Sequence, residues 1–382
     1  MSDPKRILTT HCGSLPRPHD LLDAMKAKLA GEPTDTAAYD KKVASAIAET
    51  VRKQADSGID ILTDGELSKP GFFTYVRQRL TGFEARPGTV ASLFPAEVAA
   101  FPEYYEDYFK RAMGGGGVAP TAPMFCIGPV AYKGEADLKA DLAHLKDALK
   151  GMSHEGAFVP SVAPSGCGIN DYYKTDEEFF AAVGEALRTE YLAIVEAGFQ
   201  LQVDDPFLSD IYADPDLDQK GRNRKAALYV EAINHSIRGI PAEKIRFHTC
   251  YGINEGPRIH EAALSDVVHH MLAVNAGAYS FEAANCRHEH EYHLWESVKL
   301  ADGKKLLPGV ITHASNIVEH PELIAERLVR FAERVGRGNV IASADCGFSS
   351  QASYKTEVHP TVIWEKFKAM AEGARLASDR LW

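Results

Sequence analysis

The chain has 382 residues, 45% of them hydrophobic, and 42 Lys and Arg against 53 Asp and Glu give a net charge of −11. That is ample material for a large core, and an acidic chain without a basic stripe argues against nucleic acid as a partner. No apolar run approaches the length of a membrane span, and "MSDPKRILTTHCGS" at the N-terminus lacks the apolar centre of a signal peptide, so the expectation is a cytoplasmic protein.

In chain order, nine short β-type runs appear: "RILTTHCGS", "GIDILTDGE", "PMFCIGPVAY", "GAFVPSVAPSG", "GFQLQVDDP", "KIRFHTCYG", "GAYSFEAAN", "LPGVITHAS" and "NVIASADCGF". Helical patterns lie between them, among them "DKKVASAIAETVRKQADSG", "DEEFFAAVGEALRTEYLAIVEAG" and "HPELIAERLVRFAERVG". In each, apolar residues recur at three and four, and Gly closes the pattern. Strand–helix alternation predicts an α/β fold with a parallel sheet, and eight such units close a (β/α)8 TIM barrel of roughly 250 residues or more. Nine runs are one too many. The gap between "TDGE" and "GAFVPSV" is about ninety residues, too long for a single crossover. It holds "FPEYYEDYFKRAM", the Gly114–Gly117 run and "PMFCIGPVAY". The expectation is a single domain spanning 1–382, with an inserted excursion at about 84–155 between strands 2 and 3 and "PMFCIGPVAY" as the surplus strand.

Polar residues cluster where the runs end: "THCGS", "TDGE", "VDDP", "FHTC", "FEAAN", "ITHAS" and "ADCG". In a (β/α)8 barrel these ends converge on one face, where active sites are built. His248 and Cys250 are two apart on a predicted strand, so both side chains point to one face. Glu282 and Cys346 end two other runs. Imidazole, thiolate and carboxylate are the ligands zinc takes, and three strand ends could bring these four together. The same residues read equally well as buried thiols beside a core histidine. A second histidine-dense stretch, "NCRHEHEYH" with Cys286, His288, His290 and His293, is mixed with Glu289 and Glu291 and reads as a solvated loop or helix start. His269 and His270 fall in a helical pattern as packing or surface residues. The six cysteines are too dispersed for a disulfide scaffold.

Seven motifs, "TTHCGSLPRP", "GIDILTDGELSKPGFF", "VDDPFL", "HTCYG", "YSFEAAN", "GVITHASN" and "ADCGFSS", stand in the order and rough spacing of cobalamin-independent methionine synthase. The chain resembles the catalytic C-terminal half of that family over essentially its whole length. The resemblance implies a catalytic Zn2+ held by His248, Cys250, Glu282 and Cys346. It implies a methyltransferase of methionine biosynthesis that moves a methyl group to the thiol of homocysteine, from methyltetrahydrofolate or a methylated corrinoid. Ser14, Glu66 and Asp204 match the amino-acid-binding positions, and His313 matches the histidine that moves a proton near the thiol. Where the family places a tryptophan that stacks on the pterin, this chain has Asn170, followed by Tyr172 and Tyr173. That departure sets a corrinoid protein beside folate as the source of the methyl group.

Two rival readings follow from the same residues. Epoxyalkane:coenzyme M transferase resembles this half-length barrel, but a sulfonate needs cations such as Arg17, Lys69 or Arg77 rather than a carboxylate pair. A non-catalytic zinc-binding partner of a corrinoid protein would have no use for an ammonium pocket beside the metal.

Overall fold

The structure is a computed structural model and describes residues 5–86, 94–110, 116–119, 122–252 and 256–382. Ten strands occur among them, in chain order: β1 Ile61–Leu62, β2 Phe83–Ala85, β3 Met124–Cys126, β4 Gly156–Val162, β5 Ile169–Asn170, β6 Gln200–Asp204, β7 Ile245–His248, β8 Ala278–Phe281, β9 Lys305–Ile311 and β10 Ser343–Ala344. Seven form one sheet in the order β1-β4-β6-β7-β8-β9-β10, with every neighbouring pair parallel.

The sheet curls. Thr9 pairs in parallel with Ala342, just before β10, while its carbonyl accepts from the N–H of Ile61 in β1 at 3.1 Å. The first and last strands of the sheet are thus tied to the same N-terminal segment. β4 is buried along nearly its whole length, and all four residues of β7 are buried. Burial on both faces is what a parallel sheet covered by helices requires, and it explains why these runs read as apolar almost without interruption.

The helices outside the sheet form for local reasons legible in their sequences. Thr36–Asp56 starts at Asp35, whose carboxylate accepts from Ala37 N and Ala38 N, and turns Val43, Ile47 and Val51 inward. Asp176–Glu196 is capped by the Thr175 hydroxyl, and Pro321–Val335 by His320 with Pro321 in its first turn. Each fully buried aliphatic side chain contributes about 1.5–3 kcal/mol. Truncating Ile47 to Ala would cost about 2–5 kcal/mol, since a cavity would remain.

Of the nine predicted runs, seven carry strands of the large sheet, and "RILTTHCGS" supplies the bridging segment at Thr9. "PMFCIGPVAY" carries β3, which lies outside that sheet in a three-stranded one of order β2-β3-β5. β2 and β5 had no counterpart among the predicted runs. "FPEYYEDYFKRAM" holds the helix Pro102–Tyr108. Gly114 and Gly115 lie outside the described residues; Gly117 pairs with Ser353, and Val118 N donates to Ala352 O. No described helix is long and apolar enough to cross a membrane.

Register explains why distant residues meet. Asp204 lies beside His248, and His248 beside Ser280, in adjacent parallel strands. Asp345 N donates to Ile311 O across the β9–β10 pair. The carboxyl ends of the strands therefore share one rim.

Candidate metal centre and adjoining cavity

At that rim His248, Cys250 and Cys346 offer ligand atoms that all lie within 4.8 Å of one another. Cys346 Sγ donates to Cys250 Sγ at 3.4 Å, and both cysteines are free. Two sulfurs held about 2.3 Å from one tetrahedral ion would stand about 3.8 Å apart, so the observed spacing needs little change. His248 Nδ1 meets Ser280 Oγ at 3.0 Å, while Nε2 is buried and has no partner among the described residues. Burial pulls the imidazole down to about 4, so the ring is neutral. With its proton on Nδ1, directed to Ser280, it presents Nε2 as a lone-pair donor. The Cys346 thiol is pushed well above its ordinary value by its contact with Cys250 and by burial. A soft cation would release these protons and satisfy the orphaned nitrogen, so the donor set fits zinc.

Glu282 is close by but differently engaged. Its Oε1 accepts from Tyr251 N at 3.0 Å, and its Oε2 from Arg258 Nη1 at 2.7 Å and Asn285 Nδ2 at 2.8 Å. Burial would raise this carboxyl, but the Arg258 guanidinium outweighs it and brings the group down to about 2. Glu282 groups with His313 and Asp345, whose ligand atoms also lie within 4.8 Å of one another. Asp345 Oδ1 accepts from Ala283 N and Ala284 N, which fixes the turn after β8. His313 is buried, and burial lowers it to about 4. The four expected ligands are thus neighbours: three form one cluster, and the fourth sits on an arginine beside it.

A cavity opens over the cluster. Its lining includes Ser14, Glu66, Asp204, His248, His313 and Cys346. Ser14 is clipped in place: its carbonyl accepts from Phe348 N at 2.9 Å, its hydroxyl from Ser349 N at 3.4 Å, and the next residue, Leu15, donates to Gly65 O. Gly347 must lack a side chain here, because a Cβ would come within 2.0 Å of Ser14 Oγ. Glu66 sits in the left-handed region at φ 58, in the turn after β1, and is 2% exposed. Asp204 ends β6 and accepts from Gln202 Nε2 at 2.9 Å. Burial raises both carboxyls, and for Asp204 the neighbouring Glu66 charge adds to it. Two buried carboxyls of this kind are ionised together most readily when a cation lies between them.

The catalytic-domain model of cobalamin-independent synthase matches residues 7–107 and 166–364. The chain belongs to this family. It is therefore a methyltransferase-family enzyme, and the residues between the two matched segments fall largely within the expected excursion. Among curated relatives it is similar to the methionine synthase of Saccharolobus islandicus strain Y.N.15.51, 23% identical over 377 residues, covering 98% of this chain and 95% of the relative. The methionine synthase of Sulfolobus acidocaldarius is 25% identical over 254 residues, 66% of this chain and 64% of the relative. In fold the chain is similar to a B12-independent methionine synthase from Shewanella sp. W3-18-1, with a TM-score of 0.75 at 18% identity, covering 98% of this chain and 99% of that one. A putative B12-independent methionine synthase from Listeria monocytogenes gives a TM-score of 0.67 at 21% identity, covering 99% of each.

Other expectations resolve as follows. His288 stacks on Tyr251 with ring centroids 3.9 Å apart and sits between Glu261 and Glu291. Cys286 and His293 are exposed, so "NCRHEHEYH" gathers no ligand cluster among the described residues. Asn170 spends its side chain on its own turn, donating to Tyr173 O and Asp176 Oδ1 and accepting from Tyr172 N and Tyr173 N. Arg17 is turned onto the carbonyls of Ser349, Glu66 and Lys69. Lys69 donates to Pro160 O, and Arg77 to Ala122 O. None of these three cations lines the cavity. Arg258 and Asp345 were not singled out from sequence. The signal for Asp345 was its place beside Cys346 in "ADCG"; for Arg258, in "EGPR", there was none.

Proposed function

We propose that this chain methylates the thiol of homocysteine to give methionine at a zinc ion held by His248, Cys250 and Cys346, with Glu282 as a displaceable fourth ligand. The observation that carries this reading is the juxtaposition, in one cavity, of an orphaned His248 Nε2 and two free thiols with the buried Glu66 and Asp204 carboxyls. Bound zinc supplies a site where a thiol loses its proton and is kept as a reactive thiolate near neutral pH. Glu66 and Asp204 take the amino-acid ammonium, and Ser14 with the Phe348–Ser349 backbone takes the carboxylate. His313 accepts the thiol proton, its neutral imidazole lying against Glu282 and Asp345. Arg258, Asn285 and Tyr251 N offer Glu282 a complete set of donors when it is off the ion. The buried rim limits water around the attacking sulfur.

The coenzyme M reading is disfavoured, because Arg17 and Arg77 are turned onto backbone carbonyls and Lys69 onto Pro160 O and the Glu66 carboxylate. A purely binding role leaves the carboxylate pair without purpose. For the methyl donor, the folate expectation loses its stacking partner at Asn170. We further read the curled sheet, closed through Thr9, as a (β/α)8 barrel in a single domain with residues 84–155 inserted, working in the reducing cytoplasm where its cysteines stay as thiols.

Zinc-edge absorption on the zinc-loaded protein, with and without homocysteine, tests this. The expected result is one additional sulfur neighbour on adding the thiol. An unchanged coordination shell would overturn the reading.

A further inference from the structure

Part of the cavity lining is not used by the proposed amino-acid contacts. Phe72, Phe73 and Phe207 belong to this part, each half-buried. Their rings form one cluster. Phe72 and Phe73 lie 5.0 Å apart edge to face, Phe73 and Phe207 6.3 Å apart edge to face, and Phe72 and Phe207 6.4 Å apart at 24°. Asp210 is one turn along the helix Phe207–Ala213, on the same face as Phe207, and also lines the cavity. Its carboxylate makes no hydrogen bond or ion pair among the described residues, and burial raises it to about 7.

The charge balance of the described lining is lopsided. Among the described lining residues Glu66, Asp204, Asp210 and Glu357 outnumber Lys355, the single lysine or arginine, which is exposed; outside the lining, Lys69 stands 4.0 Å from Glu66 and the charge of Lys225 reaches Asp210. An anionic tail, such as a polyglutamate or a phosphate, would meet repulsion here. A cation would meet a counter-charge and three aromatic side chains, whose quadrupoles attract it wherever a ring face is presented.

Building on the homocysteine reading, we propose that this part of the cavity takes a methyl sulfonium cation, seated against Phe72, Phe73 and Phe207 with Asp210 as its counter-charge. The reaction balances without an oxidant, reductant or acid. The thiol proton has already left. A lone pair of the homocysteine thiolate forms a bond to the methyl carbon, and the bond from that carbon to the sulfonium sulfur breaks. Its electron pair stays on a neutral thioether, which departs. One cation and one anion become two neutral thioethers, and a reaction that cancels charge is favoured where water is excluded. A sulfonium needs no proton to leave.

The test uses the zinc-loaded protein with homocysteine and a donor panel: trimethylsulfonium, S-methylmethionine, glycine betaine, methylcobalamin and 5-methyltetrahydropteroyl triglutamate. The expected result is methionine from the sulfoniums with kcat/KM at least about tenfold above the others. Phe207→Leu, which keeps an apolar side chain in place, and Asp210→Asn should each raise the sulfonium KM about tenfold, while calorimetric homocysteine affinity stays within about twofold. Methionine from folate, corrinoid or betaine in preference to the sulfoniums overturns the donor assignment and leaves the homocysteine reading standing. Unchanged sulfonium KM in both variants also overturns it. Methionine from none of the donors overturns it too, and the zinc-edge response to homocysteine then tells whether the thiol reading falls with it.

Discussion

Replacing Arg258 with Met removes the guanidinium from Glu282 while keeping an apolar side chain of similar reach. The pair is almost wholly buried, with side-chain exposures of 5% and 0% and a contact of 2.7 Å. Opposite charges about 4 Å apart attract by about 4 kcal/mol at an effective dielectric of about 20. Breaking a buried pair by removing one partner typically costs about 3–5 kcal/mol, because the other charge is stranded. Tyr251 N and Asn285 Nδ2 remain as donors to Glu282, so the lower end of that range, about 3 kcal/mol, is expected for the metal-free protein. Glu282→Gln leaves Arg258 facing an amide and should cost a similar amount. The double variant should recover about 2 kcal/mol or more relative to the sum, which is the coupling a double-mutant cycle reads. The assay is urea unfolding of the metal-free proteins, paired with chelator competition for zinc. Arg258→Met should raise zinc affinity, since Glu282 is released toward the ion and a nearby positive charge is gone. A loss of less than about 1 kcal/mol in the metal-free single variants would mean the pair is not what holds Glu282. A zinc affinity that falls on Arg258→Met would mean that the arginine supports the metal rather than competing for its ligand.

Cys346→Ser should weaken zinc binding by about 100-fold or more, read as zinc per protein after dialysis against a chelator, because a hard hydroxyl replaces a soft thiolate. Gly347→Ala forces a Cβ against Ser14 Oγ; the homocysteine KM should rise about tenfold with zinc content unchanged, and an unchanged KM would remove Ser14 from the carboxylate site. Asp205 is fully buried, accepts from Ser165 Oγ at 2.8 Å and is raised by burial to about 7. A carboxyl raised in the folded state contributes stability that is present at low pH and lost as pH climbs through the folded value. Stability of the metal-free protein should therefore fall between about pH 4 and pH 7, by up to about 1.4 kcal/mol per unit from this group, and Asp205→Asn should flatten that slope.

The frame of this fold was readable because parallel strands buried on both faces are written as apolar runs, and because each run ends on polar residues. That is why His248, Cys250, Asp204 and Cys346 could be placed at one rim without coordinates. The helices Thr36–Asp56, Asp176–Glu196 and Pro321–Val335 were readable from their periodicity and caps. β2 and β5 were not, since strands of three and two residues in a small separate sheet carry no pattern long enough to count. Arg258 was invisible for another reason. A single cation eight residues beyond Cys250 does not announce that the chain folds back to reach Glu282, and no periodicity encodes such a return. Asp210 and Phe207 lay in plain view in "VDDPFLSD", but only the helix that begins there shows them sharing a face.

The bond between Thr9 and both ends of the sheet has a consequence for how the molecule comes into being. Cys346 follows Cys250 by 96 positions and sits next to the last strand of the sheet, which is anchored on Thr9. A growing chain thus carries His248 and Cys250 without their third companion until residue 346 has been added. The three donor side chains cannot meet before that point, and a nascent chain stalled before residue 342 should handle zinc no better than an unstructured peptide.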